Sequence, residues 1–179
     1  MSAVDPNKES TRRTLVGLME DKPGVLSHVT NLFRRRNYNI ESLSVGHSEI
    51  PGISRMTVVV NGDDAVVEQV IKQLYKIVNV LKVTDIDDPT AVMRELALIK
   101  VHAAPAARAE IKQLVDIFRA SIIDVALESL TIEISGTEDK VDSLIAMVRP
   151  YGIKELTRTG RIAMARGNTT TSVNKQINN

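Results

Sequence analysis

The sequence repeats itself, and that repeat limits the architecture more than any single residue does. In the first half, Thr14 to Met19 is a buried strand. Val25, Leu26, Val29, Leu32 and Phe33 follow at helical spacing, and Arg34-Arg35-Arg36 closes that helix. Ile40 to Val45 and Met56 to Val60 form two further strands, separated by a turn at Ile50-Pro51-Gly52. A second helix places Val66, Val67, Val70, Ile71 and Leu74 on one face, and Val78 to Thr84 adds a last strand. The order is βαββαβ. The second half runs through it again: Leu96 to Val101 is apolar, and Leu32-Phe33-Arg34 meets Ile117-Phe118-Arg119 at an offset of 85 residues. Asn39-Ile40 meets Asp124-Val125 at the same offset. Further on the offset is 74, where Val67, Val70, Ile71 and Leu74 align with Val141, Leu144, Ile145 and Val148; the intervening hairpin is then 11 residues shorter.

Two such units give an α+β protein of two tandem ferredoxin-like domains, each an antiparallel sheet with both helices on one face. The boundaries expected are a flexible N-terminus over 1–11, a first domain over 12–86, a linker over 87–93, a second domain over 94–167 and a disordered polar tail over 168–179. The helix-free face of each sheet is rich in Val, Ile and Leu and must be covered. Pairing with another copy covers it, so at least a homodimer is expected.

The loop Glu20-Asp21-Lys22-Pro23-Gly24-Val25-Leu26-Ser27 joins the first strand to the first helix. A strand that runs through a Pro-Gly turn into a helix leaves backbone N–H groups free at the positive helix end, which suits a carboxylate or phosphate. Gly24 lets a ligand approach the backbone. Asp21 can accept from an ammonium group, and Asn39, at the start of the next strand, can donate and accept. Together these groups describe a site for a zwitterion such as an α-amino acid. The same residues also serve a purely structural turn, with Asp21 capping the helix and Asn39 capping a strand. The equivalent turn in the second half, Ala103-Ala104-Pro105-Ala106-Ala107, has neither Asp nor Gly, which favours a site in the first half and a scaffold or docking role for the second.

Asp21-Lys22-Pro23-Gly24-Val25-Leu26 resembles the D-x-P-G-x-L signature of ACT domains, which sense amino acids. With Arg13 to Met19, Asn37-Tyr38-Asn39-Ile40-Glu41-Ser42-Leu43 and Ser54-Arg55-Met56-Thr57, the chain resembles the small, regulatory subunit of acetolactate (acetohydroxyacid) synthase. Arg94-Glu95-Leu96 through Val101, Ile117-Phe118-Arg119-Ala120, Ile122-Ile123-Asp124-Val125, Gly136-Thr137 and Arg158-Thr159-Gly160 are similar to that family's C-terminal domain. The resemblance implies a chain with no catalytic residues and no cofactor of its own. It implies a large-subunit partner that uses thiamine diphosphate, Mg²⁺ and FAD, and an effector, valine or another branched-chain amino acid, held between ACT domains of two small subunits. The matching effector positions are Asp21, Gly24, Val25, Leu26, Ser27, Asn39 and Ile40. Some members have Asn where this chain has Asp21, a change that bears on affinity and pH dependence.

The remaining composition excludes other classes. The 179 residues carry a formal charge of +1, which gives no electrostatic case for nucleic acid or an anionic membrane. Without Cys there are no disulfides or thiolate metal sites. His28, His47 and His102 lack metal-ligand spacing and read as structural or surface residues; Asp85, Asp87 and Asp88 read as a solvated linker rather than a cation site. No secretory signal or membrane-spanning run is seen, so the cytoplasm is expected, or an organelle stroma in a eukaryote. Two alternatives remain: a stand-alone tandem-ACT sensor acting on another protein, and, ranked below it, an acylphosphatase-like hydrolase. The hydrolase needs Gly and Arg in a phosphate loop where this chain has the acidic pair Glu20-Asp21.

Overall fold

A computed structural model describes residues 12–86 and 91–172. Two βαββαβ units are present. The first contains β1 (Arg12–Glu20), α1 (Val25–Arg35), β2 (Ile40–His47), β3 (Ile53–Asn61), α2 (Asp64–Leu74) and β4 (Val80–Ile86). Its strands lie in the order β2-β3-β1-β4, all antiparallel. The second contains β5 (Ala91–His102), α3 (Arg108–Ile117), β6 (Ser121–Val125), β7 (Ser129–Gly136), α4 (Glu138–Val148) and β8 (Ile153–Arg158), in the order β6-β7-β5-β8. A short strand, β9 (Ile162–Ala165), pairs with β5. Of the expected linker, residues 91–93 belong to β5, and 87–90 lie outside the described residues.

Alternation along the strands sorts side chains to two faces. Leu15, Met19, Met56, Val58 and Val60 point to the helices and pack with Val25, Val29, Leu32 and Phe33 of α1 and Val67, Val70 and Leu74 of α2. The helix spacing read from the sequence is therefore the core-facing stripe, apart from Leu26, which faces out at the first turn of α1. α2 is capped by Asp63, whose carboxylate accepts the Val66 N–H at 2.9 Å. α1 ends where Asn37 turns left-handed, φ 55°, and the Tyr38 N–H reaches back to the Phe33 carbonyl at 3.1 Å. In the second unit Arg119, φ 49°, makes the same turn, and the Ala120 N–H meets the Val115 carbonyl at 2.9 Å.

These equivalent helix ends correct the repeat register. Phe33 corresponds to Val115 and Asn37 to Arg119, an offset of 82 rather than 85 residues. The bulges in β1 (Leu18/Met19) and β5 (Lys100/Val101) give the same 82. The α2 and α4 starts keep the offset of 74, so the hairpin is eight residues shorter rather than 11. The misassignment came from matching Phe33 with Phe118, whereas the core position of Phe33 is filled by Val115.

The helix-free face of the first sheet also departs from expectation. Val16, Leu18, Thr57 and Val59 are buried within the single chain, so that face does not require a second copy. The second unit closes at Ile162, and residues 163–172 belong to the first unit. There the polar segment expected to be disordered is placed as far as Ser172, with Thr171 only 5% exposed; residues 173–179 lie outside the described residues. Register puts Arg55 of β3, Leu18 of β1 and Lys82 of β4 in one row on this face. Arg55 donates to the Ala163 carbonyl and to Thr171 Oγ1, each at 2.7 Å, and Lys82 Nζ donates to the Ser172 carbonyl at 2.7 Å. The sequence shows a low-complexity polar tail; its acceptors match two cations that strand alternation puts on the face it crosses.

Candidate functional site

The open start of α1 is the feature around which the predicted site residues can be judged. Gly24 precedes the helix with φ 85°, a left-handed conformation that strains any L-residue. No side chain caps the helix and its first turn carries no acid. The Val25 N–H reaches the Lys22 carbonyl at 3.3 Å and the His28 N–H reaches the Gly24 carbonyl at 3.0 Å. Among the described residues, the N–H groups of Gly24, Leu26 and Ser27 have no acceptor. Three free donors at the positive end of a helix dipole make a ready anion site. Pro23 lies just outside the helix, which begins at Val25.

Asp21 does not cap this helix. Its N–H donates to the Gly52 carbonyl at 2.8 Å, its Oδ1 accepts from Ser54 Oγ at 3.2 Å, and His47 Nδ1 lies 3.2 Å from Oδ2. The structural alternative for this loop, which relied on Asp21 as the cap, therefore loses its main element. Asp21 instead joins the loop to the β2–β3 turn. His47, read from sequence as an isolated histidine, sits beside the site, and so does Ser54. Only the pairing of His47 with Ser54 across β2 and β3 would have revealed this. Glu20, at the end of β1, is anchored by the Asn79 amide and by Lys22; these two hydrogen bonds, Asn79 first, hold its carboxyl below the ordinary range.

The seven predicted residues do not converge in one chain. Asp21, Gly24, Leu26 and Ser27 are exposed at the loop and first helical turn. Val25 is adjacent, but its side chain is buried in the core, so only its backbone faces the site. Asn39 and Ile40 stand elsewhere. Ile40 pairs with Val60, which pairs with Arg13 at the start of β1, whereas His47 pairs with Ser54 beside Met19 at its end. The seven-residue span from Ile40 to His47 along β2 is roughly 23 Å at a strand rise of about 3.3 Å. Ile40 leans on the helix-side core, and Asn39 is exposed. β2 is an edge strand whose outer side pairs with no other strand among the described residues.

The second repeat also lacks a side-chain cap at its helix start, but it differs in carrying an acid in the first turn. Ala103, Ala104 and Ala106 stand where Asp21, Lys22 and Gly24 do in the corrected register. A short 3₁₀ turn over Pro105–Ala107 leads into α3. Glu110 is in that helix's first turn, and Arg108 is spent on the carbonyls of Ala103, Ala126 and Leu127. An acid in this turn opposes an incoming anion.

Elsewhere, a cleft of about 620 Å³ along α1 and the α2–β4 connection is lined by His28, Arg34, Arg35 and Lys76 and contains none of the predicted effector residues. No group of three potential metal ligands occurs among the described residues, and none of the described helices is long and apolar enough to cross a membrane. Asp85 faces Arg13, while Asp87 and Asp88 lie outside the described residues.

A βαββαβ unit whose strand–turn–helix junction offers bare N–H groups behind a Pro-Gly turn is an ACT-type module, here followed by a second ferredoxin-like domain. Comparison with known families agrees unit by unit: residues 15–82 match the small-subunit ACT domain of acetohydroxyacid synthase, and residues 94–167 match the family of the small subunit of acetolactate synthase. A probable acetolactate synthase small subunit from Archaeoglobus fulgidus is 57% identical over 88% of this chain and 98% of its own length. The acetolactate synthase small subunit of Bacillus subtilis is 48% identical over 87% of this chain and 91% of its own. The crystal structure of the small subunit from Thermotoga maritima superposes with a TM-score of 0.84 at 46% identity, over 89% of this chain and 99% of that one. The chain belongs to the acetolactate synthase small-subunit family.

Proposed function

We propose that this chain is the regulatory subunit of an acetolactate synthase. It binds a catalytic large subunit, raises its activity and makes it sensitive to feedback inhibition by valine or another branched-chain amino acid. The large subunit carries the thiamine diphosphate, Mg²⁺ and FAD, and this chain supplies no catalytic group. The observation that carries the reading is the uncapped start of α1, where the Gly24, Leu26 and Ser27 N–H groups can receive a carboxylate. Each charge-assisted hydrogen bond there contributes about 1.5–3 kcal/mol.

The exposed β2 edge supports a site made from two copies. Placed antiparallel along that edge, a second chain sets the start of its own β2 beside the end of the first chain's β2. Asn39 and Ile40 of one copy then approach Asp21 to Ser27 of the other, which one chain by itself does not achieve. An effector enclosed this way binds the dimer better than the monomer and couples to assembly by linkage.

Selectivity follows pocket size. At about 0.8 kcal/mol per methyl or methylene group, valine gains about 1.6 kcal/mol over alanine, roughly 15-fold. The test is reconstitution of the full chain with an acetolactate synthase large subunit and titration with valine, leucine and isoleucine. Activity that is neither stimulated by the chain nor inhibited by any of the three rejects the reading.

A further inference from the structure

We propose that residues 163–172 form a strap that positions the effector loop, with Arg55 and Thr171 as positioning residues; this rests on the effector reading above. The described contacts form a continuous series inside the first unit. The Arg55 guanidinium grips the strap at both ends, at the Ala163 carbonyl and at Thr171 Oγ1, each at 2.7 Å. Lys82 fixes the Ser172 carbonyl at 2.7 Å, and the Ser172 hydroxyl reaches the Glu49 carboxylate in the β2–β3 turn. That turn is the support of the loop: Gly52 accepts the Asp21 N–H at 2.8 Å, while Ser54, next to Arg55, donates to Asp21 Oδ1 at 3.2 Å. The strap therefore holds the turn from one side and the turn holds Asp21 from the other.

Chemistry explains why this linkage is firm. A half-buried guanidinium has given up much of its hydration and needs acceptors, and a carbonyl together with a hydroxyl supplies them without introducing a second charge. Thr171 is 5% exposed, so its hydroxyl has little water to exchange with when Arg55 is removed. The Ser172–Glu49 contact is exposed and follows the other two rather than directing them.

Removing the grip should loosen the loop without unfolding the domain. In the full-length chain, Thr171→Val keeps the shape of the side chain and deletes the acceptor; Arg55→Met deletes the donor. Hydrogen exchange read by mass spectrometry is expected to show the Asp21 amide and the 48–54 turn exchanging about tenfold faster in both variants, with β1 and α2 unchanged. Calorimetry with valine is expected to show about tenfold weaker binding, restored toward wild type by Arg55→Lys, which keeps one donor. Unaltered exchange at Asp21 in Thr171→Val overturns the strap, whether or not Arg55→Met folds. Acceleration spread evenly over β1 and α2 also overturns it, because the contact then serves general stability. If the wild-type chain binds no amino acid, the effector reading fails, and the exchange experiment still decides the strap.

Discussion

Gly24→Asp is the most discriminating single change in this chain. A Cβ built at Gly24 meets nothing within 4 Å, so the substitution creates no clash, but φ 85° is strained for an L-residue. That strain costs about 1–2 kcal/mol, less any small gain from an acid at a helix N-terminus. Against a typical stability of about 5–15 kcal/mol the domain remains folded. The effector fares worse, because the new carboxylate sits where its own must go. Loss of two charge-assisted hydrogen bonds, at about 1.5–3 kcal/mol each, is a loss of about 3–6 kcal/mol. At 1.4 kcal/mol per decade this weakens binding roughly 10²- to 10⁴-fold. Calorimetry with valine, alongside urea melts of the same samples, measures both quantities. Gly24→Ala is the control: it carries the same backbone strain without the charge and is expected to bind far better than Gly24→Asp. Valine affinity within threefold of wild type in a folded Gly24→Asp chain refutes the anion-site assignment. Equal losses in the two variants refute the electrostatic part and leave backbone distortion as the cause.

The two-copy site predicts complementation: Asn39→Ala alone weakens valine binding less than Gly24→Asp. Mixing equal amounts of the two variants and refolding restores one intact site per mixed dimer. Because random pairing makes about half of the dimers mixed, full-affinity binding returns at about a quarter of the wild-type calorimetric stoichiometry, whereas a site within one chain gives none. Glu49 is held below its ordinary 4.5 first by the Ser172 hydroxyl and then by its own N–H, and Glu20 is lowered first by Asn79. A depressed carboxylate stabilises fully above its unfolded value, and the effect is lost as pH falls through the folded one. Thermal melts below pH 4.5 should therefore decline less steeply for Glu20→Gln/Glu49→Gln than for wild type. In the second unit Glu95 is nearly buried, at 7% side-chain exposure, against Arg158, which also holds Asp142 at 2.7 Å. Arg158→Leu strands that carboxylate and is expected to cost about 3 kcal/mol, the low end for a broken buried pair because Arg158 is partly exposed. The melting temperature then falls by roughly 6–12 °C, and calorimetric scanning checks it.

What the sequence could reveal follows from how local each signal is. The βαββαβ order, the core stripes of α1 and α2 and the Pro-Gly junction depend on neighbours a few residues apart, and all are present, except that Leu26 of the α1 stripe is exposed. The α1 repeat register was misplaced because one aromatic, Phe118, outweighed the pattern of helix ends. The roles of Asp21 and His47 depend on cross-strand pairing between β2 and β3, which no local pattern encodes. The strap is further still from legibility: Arg55 and Thr171 are 116 residues apart, and Thr171 lies in a run of polar residues that by composition alone resembles a solvated tail.

The difference between the two repeats is the strongest argument that the first helix start is retained for binding. An uncapped helix leaves donors unsatisfied, and a cap at such a position typically adds about 1 kcal/mol. In the second repeat Pro105 begins a 3₁₀ turn that also has no side-chain cap, but Glu110 answers the helix dipole, so the fold tolerates an acid at this end. In the first repeat the nearest acid, Asp21, is turned away to Ser54 and His47, and the first turn of α1 has none. The same topology thus carries an acid at one helix start and none at the other. The acid-free end forgoes that dipole stabilisation, and under the proposed function the effector's carboxylate would supply it.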